Sequence, residues 1–393
     1  MRRQYLETHP WLIFDFDSRE QLDFRTWMLL GEAISKFEHL AGAPIQPVLA
    51  DRLNEIYLSK SVHATTRIEG NTLTADEVLQ RVRHELELPP SQEYLGQEVD
   101  NIVAAYNLIE FDLAEGHSLA LTRERVDELN RLVLDKVPAE DDVHPGKVRT
   151  KNVLVGNYRG APPQDCDHLL DRLCDWLETM RAEAGEELRQ PVAIISALLA
   201  HLYLAWIHPF GDGNGRTARL VEYQLLLNAR APMLAAHLPA NFYMRTRTRY
   251  YQVLQKTSQP PYDPAVFLRY AIQGFVEELR EQVRTIQGHQ LGVAWVNFVH
   301  ETVQDGHTAA CVRQRHLVLD LPMHEFTPIS KIPELTPRLA AEYASKTRRT
   351  VSRDVNALTD AGLLLRTRAG VRPHIEQMQA FLPLRADPEH TDD

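Results

Sequence analysis

Between His208 and Arg219 the chain reads H-P-F-G-D-G-N-G-R-T-A-R. One imidazole, one carboxylate, one amide, two guanidinium groups and three glycines fall within those twelve residues. Glycines let backbone N–H groups come close to a phosphate, and a helix beginning there adds positive potential. Asp212 offers the hard oxygen that Mg²⁺ takes when substrate phosphates supply further ligands. Arg216 and Arg219, at i and i+3, share one helix face and can both reach a polyphosphate tail. The chemistry indicated is that of a metal–nucleotide.

Such a loop needs rigid neighbours. Residues 191–207, just before it, are apolar on nearly every face and predict a buried helix. After it, Leu220, Tyr223 and Leu227 recur at helical spacing, with Val221 and Leu225 beside them. A buried helix, a glycine-rich loop and a second helix carrying two arginines at its start are expected.

The twelve residues match the signature H-x-F-x-[DE]-G-N-G-R-x-x-R at every fixed position, and the chain resembles Fic-domain proteins of the Fic/Doc superfamily over roughly 50–285. The resemblance is to the adenylyltransferase type with an N-terminal inhibitory helix. It implies transfer of AMP from ATP, with Mg²⁺, to a Tyr, Ser or Thr hydroxyl of a target protein or of the chain itself. It makes His208 the general base, Phe210 a buried anchor and Asp212 the Mg²⁺ ligand. Gly211, Gly213, Asn214 and Gly215 become the anion cradle, and Arg216 and Arg219 the grip on the outer phosphates.

Two further stretches are similar to parts of the same family. Residues 65–70, T-T-R-I-E-G, end a helix expected over 47–69 and match the inhibitory motif [ST]-x-x-x-E-[GN]. The resemblance implies that Glu69, with Thr65 one turn earlier, occupies Arg219 and denies it to the γ-phosphate. A solvated glutamate at a helix end is the plain alternative. Residues 146–163 break the helical pattern, and a turn at Gly156-Asn157 predicts a hairpin. In the family a hairpin here is a flap that aligns the target segment. Tyr250 and Tyr251 resemble residues that line an adenine pocket, against which stands a role as core aromatics.

Beyond residue 285 the pattern changes. Residues 336–374 read as helix, short turn, helix and hairpin, which resembles a winged helix-turn-helix. Eight Lys and Arg stand there against three acids, in a chain whose net charge is −11. That excess favours a phosphate-facing surface. Arg348, Arg349, Arg353 and Arg368 are the expected contacts to double-stranded DNA, and protein docking is the other use of such a module.

The expected fold is mainly α, a Fic-type helical bundle with a β-hairpin flap plus a C-terminal winged-helix domain. Its divisions fall at 1–115 (the region of the inhibitory helix), 116–285 (catalytic) and 286–393. With 44% hydrophobic and 25% charged residues the composition is that of a globular protein. Three cysteines without C-x-x-C spacing suggest neither a disulfide framework nor a zinc site. No signal-peptide pattern opens the chain, and the longest apolar stretch, 192–207, reads as a core helix rather than a membrane span. A cytoplasmic location is expected, with no membrane partner; a homodimer is compatible with the sequence. Two alternatives to adenylylation remain open. One is transfer of another phosphate-linked group, although Doc-type kinases carry a Lys where this chain has Gly215. The other is a DNA-binding regulator in which the Fic domain is a sensor or autoregulator.

Overall fold

The computed structural model describes residues 3–156, 158–303 and 308–378. Asn157 of the expected flap turn, and residues 379–393 of the expected C-terminal domain, lie outside the described residues. The chain divides into two compact units, Met1–Arg284 and Thr285–Asp393. The expected division at 115/116 falls inside the first unit, where helices from both sides of it pack on the central motif helix.

The first unit begins with two single turns, α1 (Tyr5–Thr8) and α2 (Ser18–Gln21). α3 (Phe24–Ala41) follows, started by Asp23, whose carboxylate accepts from Thr26 N at 2.8 Å. α4 (Pro47–Ile68) opens on a proline in its first turn and stops at Glu69. Gly70 then takes φ +106°, and Asn71 N returns to the Thr66 carbonyl at 3.1 Å. This satisfies one of the carbonyls a helix end leaves open and turns the chain away. A capping box of Thr74 and Glu77 starts α5 (Ala75–Val82). α6 (Glu93–Ala114) and α7 (Arg123–Val133) come next.

A small antiparallel hairpin, β1 (Leu154–Val155) with β2 (Tyr158–Arg159), occupies the place expected for the flap. Beyond it lie α8 (Pro163–Glu183), α9 (Arg189–Ile207) and α10 (Asn214–Asn228). α9 is buried at every position from Pro191 to Leu204, and α10 at every position from Arg216 to Leu227. The two pack against each other, with α4, α6 and α7 against α10 and α8 against α9. Residues 186–207 are long and apolar enough to cross a membrane by length and composition, but 89% of that apolar window is buried inside the fold. Apolar groups on all faces are thus removed from water by neighbouring helices, the condition of a core helix.

α11 (Met233–Ala236), α12 (Leu238–Arg245) and α13 (Arg247–Thr257) precede α14 (Ala265–Thr302), within which the division between the units falls. The helix expected around Tyr250 and Tyr251 is α13.

The second unit contains α15 (Ala309–Asp320), α16 (Pro337–Tyr343) and α17 (Arg348–Asp360), then the antiparallel pair β3 (Leu364–Thr367) and β4 (Gly370–Pro373). Thr327, between α15 and α16, bridges to Val371 of β4. Gly370 permits this approach: at φ +143°, a Cβ there would overlap the Thr327 carbonyl. Leu339, Val351, Val355, Leu358 and Val371 share one core with Leu317 and Trp295. The Asp354 carboxylate is buried in that unit but takes Arg313 Nε at 2.7 Å and the Tyr343 hydroxyl at 3.1 Å.

Candidate active site

The loop between α9 and α10 is fixed mostly by side chains that grip backbone. His208 caps α9 in the left-handed region, at φ 49° and ψ 60°, with its N–H on the Leu204 carbonyl at 2.9 Å. Phe210, 1% exposed, plugs the loop into the core. Asn214 accepts from Phe210 N at 2.9 Å and donates to Phe210 O at 2.8 Å, closing the loop on itself. Its side-chain amide thus holds the loop, and its backbone N–H, in the first turn of α10, is left for the expected anion cradle. Asn130, fully buried on α7, donates to the Asp212 carbonyl at 3.0 Å and accepts from Gly146 N at 2.9 Å.

The three glycines differ in what they admit. Gly213 supplies φ +75° at the N-cap of α10. Gly211 lets Val143 pass, since a Cβ there would come 2.9 Å from Val143 Cγ2. Gly215 is where an anion comes close, and that anion is Glu69: a Cβ on Gly215 would overlap its Oε1.

Both motif arginines are buried, at 4% and 3% exposure. Arg219 gives Nε to Thr65 Oγ1 at 2.7 Å, and Nη2 to Thr65 O at 3.0 Å and Glu69 Oε1 at 2.6 Å. The structure thus brings together Thr65, Glu69 and Arg219 across 150 residues of sequence. Burial alone would push the Glu69 carboxyl up, but Arg219, with Arg216 behind it, outweighs burial and holds it below the usual carboxylate range. Arg216 donates to Glu98 on α6 at 2.9 Å and to Asp212 at 3.4 Å. Arg216 Nε and Arg219 Nη1 are buried donors with no partner among the described residues.

Asp212 lies open to solvent, with one oxygen on Gly213 N at 2.5 Å. Among the described residues no cluster of three or more acidic, His or Cys ligands could hold a metal alone. A cation here would draw its other ligands from phosphate oxygens and water, which is how Mg²⁺ is usually held beside a nucleotide.

His208 is half-buried. Its Nδ1 faces the Ala205 carbonyl at 3.4 Å, which leaves Nε2 as the basic nitrogen. Burial lowers its pKa to about 4; the Ala205 carbonyl and the carboxylates of Glu69 and Asp212 oppose that shift, and the Arg149 guanidinium adds to it. The ring is therefore neutral, the form a base requires. Arg149 went unnoticed in the sequence. It is 5% exposed, has no carboxylate partner among the described residues, and gives its N–H groups to three carbonyls: His208 at 2.8 Å, Lys151 at 2.6 Å and Ala161 at 2.5 Å. One guanidinium thus ties both ends of the hairpin to the turn at His208. Carbonyl partners have no sequence signature, so no pattern pointed to it.

The tyrosine pair splits. Tyr250 is 2% exposed, and its hydroxyl meets His201 Nε2 at 2.7 Å in a buried network with Glu222 and Tyr243. That makes it a core aromatic. Tyr251 is 39% exposed and reaches the Ile68 carbonyl at 3.2 Å, next to Glu69. Of the pair only Tyr251 leaves part of its ring exposed, with the Arg247 guanidinium over it at 5.8 Å from the ring centroid. In the second unit Arg348, Arg349, Arg353 and Arg368 are exposed and free of carboxylate partners among the described residues, whereas Arg338 and Arg372 pair with Asp320 and Glu376.

Residues 120–226 match the model of the Fic/DOC family. The chain is similar to protein adenylyltransferase fic-1 of Caenorhabditis briggsae, 28% identical over 60% of this chain and 42% of that protein. It is also similar to protein adenylyltransferase Fic of Drosophila willistoni, 31% identical over 54% of this chain and 39% of that one. The matches thus span about two fifths of each relative's length. Among solved structures, a Fic family protein from Desulfovibrio desulfuricans G20 superimposes with a TM-score of 0.55 at 21% identity, covering 88% of this chain and 91% of that one. Fic-1 of C. elegans (aa134–508) gives 0.54 at 24% identity, over 67% of this chain and 73% of that one. These two likenesses concern the fold.

Proposed function

We propose that this chain, which matches the Fic/DOC family model over residues 120–226, is a protein adenylyltransferase, restrained by Glu69, that moves AMP from ATP to a hydroxyl side chain of a target protein or of itself. The observation that carries this reading is the pair of buried, unpartnered guanidinium donors, Arg216 Nε and Arg219 Nη1, on the helix that starts beside Asp212. Buried unpaired donors are costly, and a phosphate chain is the ligand that would use them.

In the reaction the hydroxyl oxygen bonds to the α-phosphorus, the bond to the bridging oxygen of the β-phosphate breaks, and pyrophosphate leaves. The hydroxyl proton passes to Nε2 of His208. Arg149 holds that ring's turn and the hairpin in one frame, so base and incoming segment keep a fixed relation. Asp212 would hold Mg²⁺, which neutralises phosphate charge when bound. The first-turn N–H groups of α10 and the side edge of Arg216 face the same anion. While Glu69 sits on Gly215 and Arg219, a phosphate cannot take that place.

Gly215 also favours adenylylation over kinase chemistry, because Doc-type kinases carry a Lys at this position; here even a Cβ would overlap Glu69 Oε1. Incubation with Mg²⁺ and ATP labelled at the α- or the γ-phosphate tests the choice. Protein labelled from the α-position supports this reading; label from the γ-position alone contradicts it.

A second reading concerns the second unit. Four exposed arginines on α17 and the β3–β4 turn, without carboxylate partners among the described residues of a chain of net charge −11, support binding to double-stranded DNA. α16 and α17 follow one another as the two helices of a helix-turn-helix would, and in such a motif the second helix enters the major groove. Both readings can hold for one chain.

A further inference from the structure

Arg216 and Arg219 are three residues apart and similarly buried, yet they are held by different edges. On Arg219 the side edge, Nε and Nη2, is filled by Thr65 and Glu69. On Arg216 the carboxylate of Glu98 takes the end corner, Nη1, at 2.9 Å. The side edge there carries only the 3.4 Å contact from Nη2 to Asp212, with Nε unpartnered. The side edge is one that can meet two oxygens of a phosphate in parallel. One arginine's side edge is therefore filled, and the other's is left without a full partner among the described residues.

Glu98 is itself fixed. Its second oxygen accepts from Asn71 Nδ2 at 2.8 Å. The same nitrogen donates to the Leu95 carbonyl at 3.0 Å, and Asn71 Oδ1 accepts from Leu73 N at 3.0 Å. Asn71 follows Glu69 by two residues, across Gly70 at φ +106°. One short turn thus reaches both arginines, one directly and one through Glu98.

We propose that Glu98 is the positioning residue of Arg216: it grips the guanidinium by the end corner so that the side edge faces Asp212 and the phosphate chain, and Asn71 sets its orientation. Glu69 and Glu98 then act in opposite senses on two arginines of one helix. With Gly70 between them as the pivot, Glu69 can leave Arg219 while Asn71 stays on Glu98. The inference rests on the nucleotide-binding reading above.

The test uses the full chain with Glu69→Gly as parent, and reads the affinities for ATP and for AMP by calorimetry. Glu98→Ala is expected to weaken ATP about tenfold and to leave AMP, which lacks the outer phosphates, within about twofold. Glu98→Gln keeps an acceptor for Nη1 and the side chain's shape, so its loss is smaller; AMP binding reports that each variant is folded. Equal losses for ATP and AMP would make Glu98 a packing residue, and tighter ATP binding would make it a second brake; either overturns the proposal. An unchanged ATP affinity in both Glu98 variants overturns it too. A parent that binds no ATP would instead remove the adenylyltransferase reading, and this inference with it.

Discussion

Oε1 of Glu69 lies 2.6 Å from Nη2 of Arg219 and on the place that a Cβ of Gly215 would fill. A carboxylate thus stands at the start of the motif helix, in the close approach that a glycine permits. The guanidinium is 1% exposed and the carboxylate 31% exposed, so the pair is strong but can be reached from solvent. An incoming polyanion can compete for it from that side.

Replacing His208 by Ala should abolish transfer and spare binding. In the proposed reading the phosphate contacts come from α10 and its arginines, and loss of a general base typically costs about 10²–10⁴-fold. Single-turnover labelling alongside nucleotide titration checks this. Near-normal transfer by the alanine variant contradicts the assignment.

The pH dependence follows from a histidine whose pKa is lowered to about 4. A base works when deprotonated, so kcat/KM of Glu69→Gly should stay flat as pH falls from about 8 through 6.5, the ordinary histidine value. An acid limb centred there contradicts the geometry. The stability linkage has the matching sign. The unfolded chain takes the proton first, so stability should fall as pH drops from 6.5 toward about 4. Arg149→Met removes a neighbouring cation and should move the limb upward. It also strands three carbonyls, at ~1–3 kcal/mol for each that water cannot reach.

Thr65→Ala should release the restraint only in part. It removes the hydroxyl that accepts Arg219 Nε, while the Thr65 carbonyl and Glu69 still hold Nη2. Auto-modification should therefore rise above wild type but stay below Glu69→Gly. A Thr65→Ala chain as active as Glu69→Gly would mean that the hydroxyl, not the carboxylate, is the main hold.

The signature loop and its brake were legible because both are short motifs in which residue type dictates role. What escaped are partners that no pattern marks. Glu98 meets Arg216 across 118 residues from an ordinary amphipathic helix. Arg149 binds only carbonyls, and every residue has one. Tyr250 and Tyr251 read alike in sequence, and only the three-dimensional phase of α13 sends one to His201 and the other to the surface. The loop-closing role of the Asn214 amide was likewise unmarked, because its partner is the Phe210 backbone four residues earlier.

For the second unit, Arg349→Ala and Arg353→Ala in the full chain should weaken binding to a DNA duplex. Wild-type affinity should fall steeply with salt, and each substitution should reduce the slope of log K against log salt by about 0.9 for each phosphate it leaves without its cation. A full chain without salt-sensitive binding to any duplex leaves protein docking as the use of this surface.

The most direct measurement of the central claim is auto-modification from α-labelled ATP and Mg²⁺ by three chains: wild type, Glu69→Gly and Glu69→Gly/Arg219→Ala. Removing one partner of a fully buried pair costs ~3–5 kcal/mol, and the exposed part of Glu69 places this pair below that, so folding is checked by thermal melts. Glu69→Gly should label well above wild type, because it frees the guanidinium for the γ-phosphate. The double variant should fall back, since the brake and the phosphate partner are then both gone. A folded Glu69→Gly chain no more active than wild type would contradict the account and make Glu69 a helix-end glutamate.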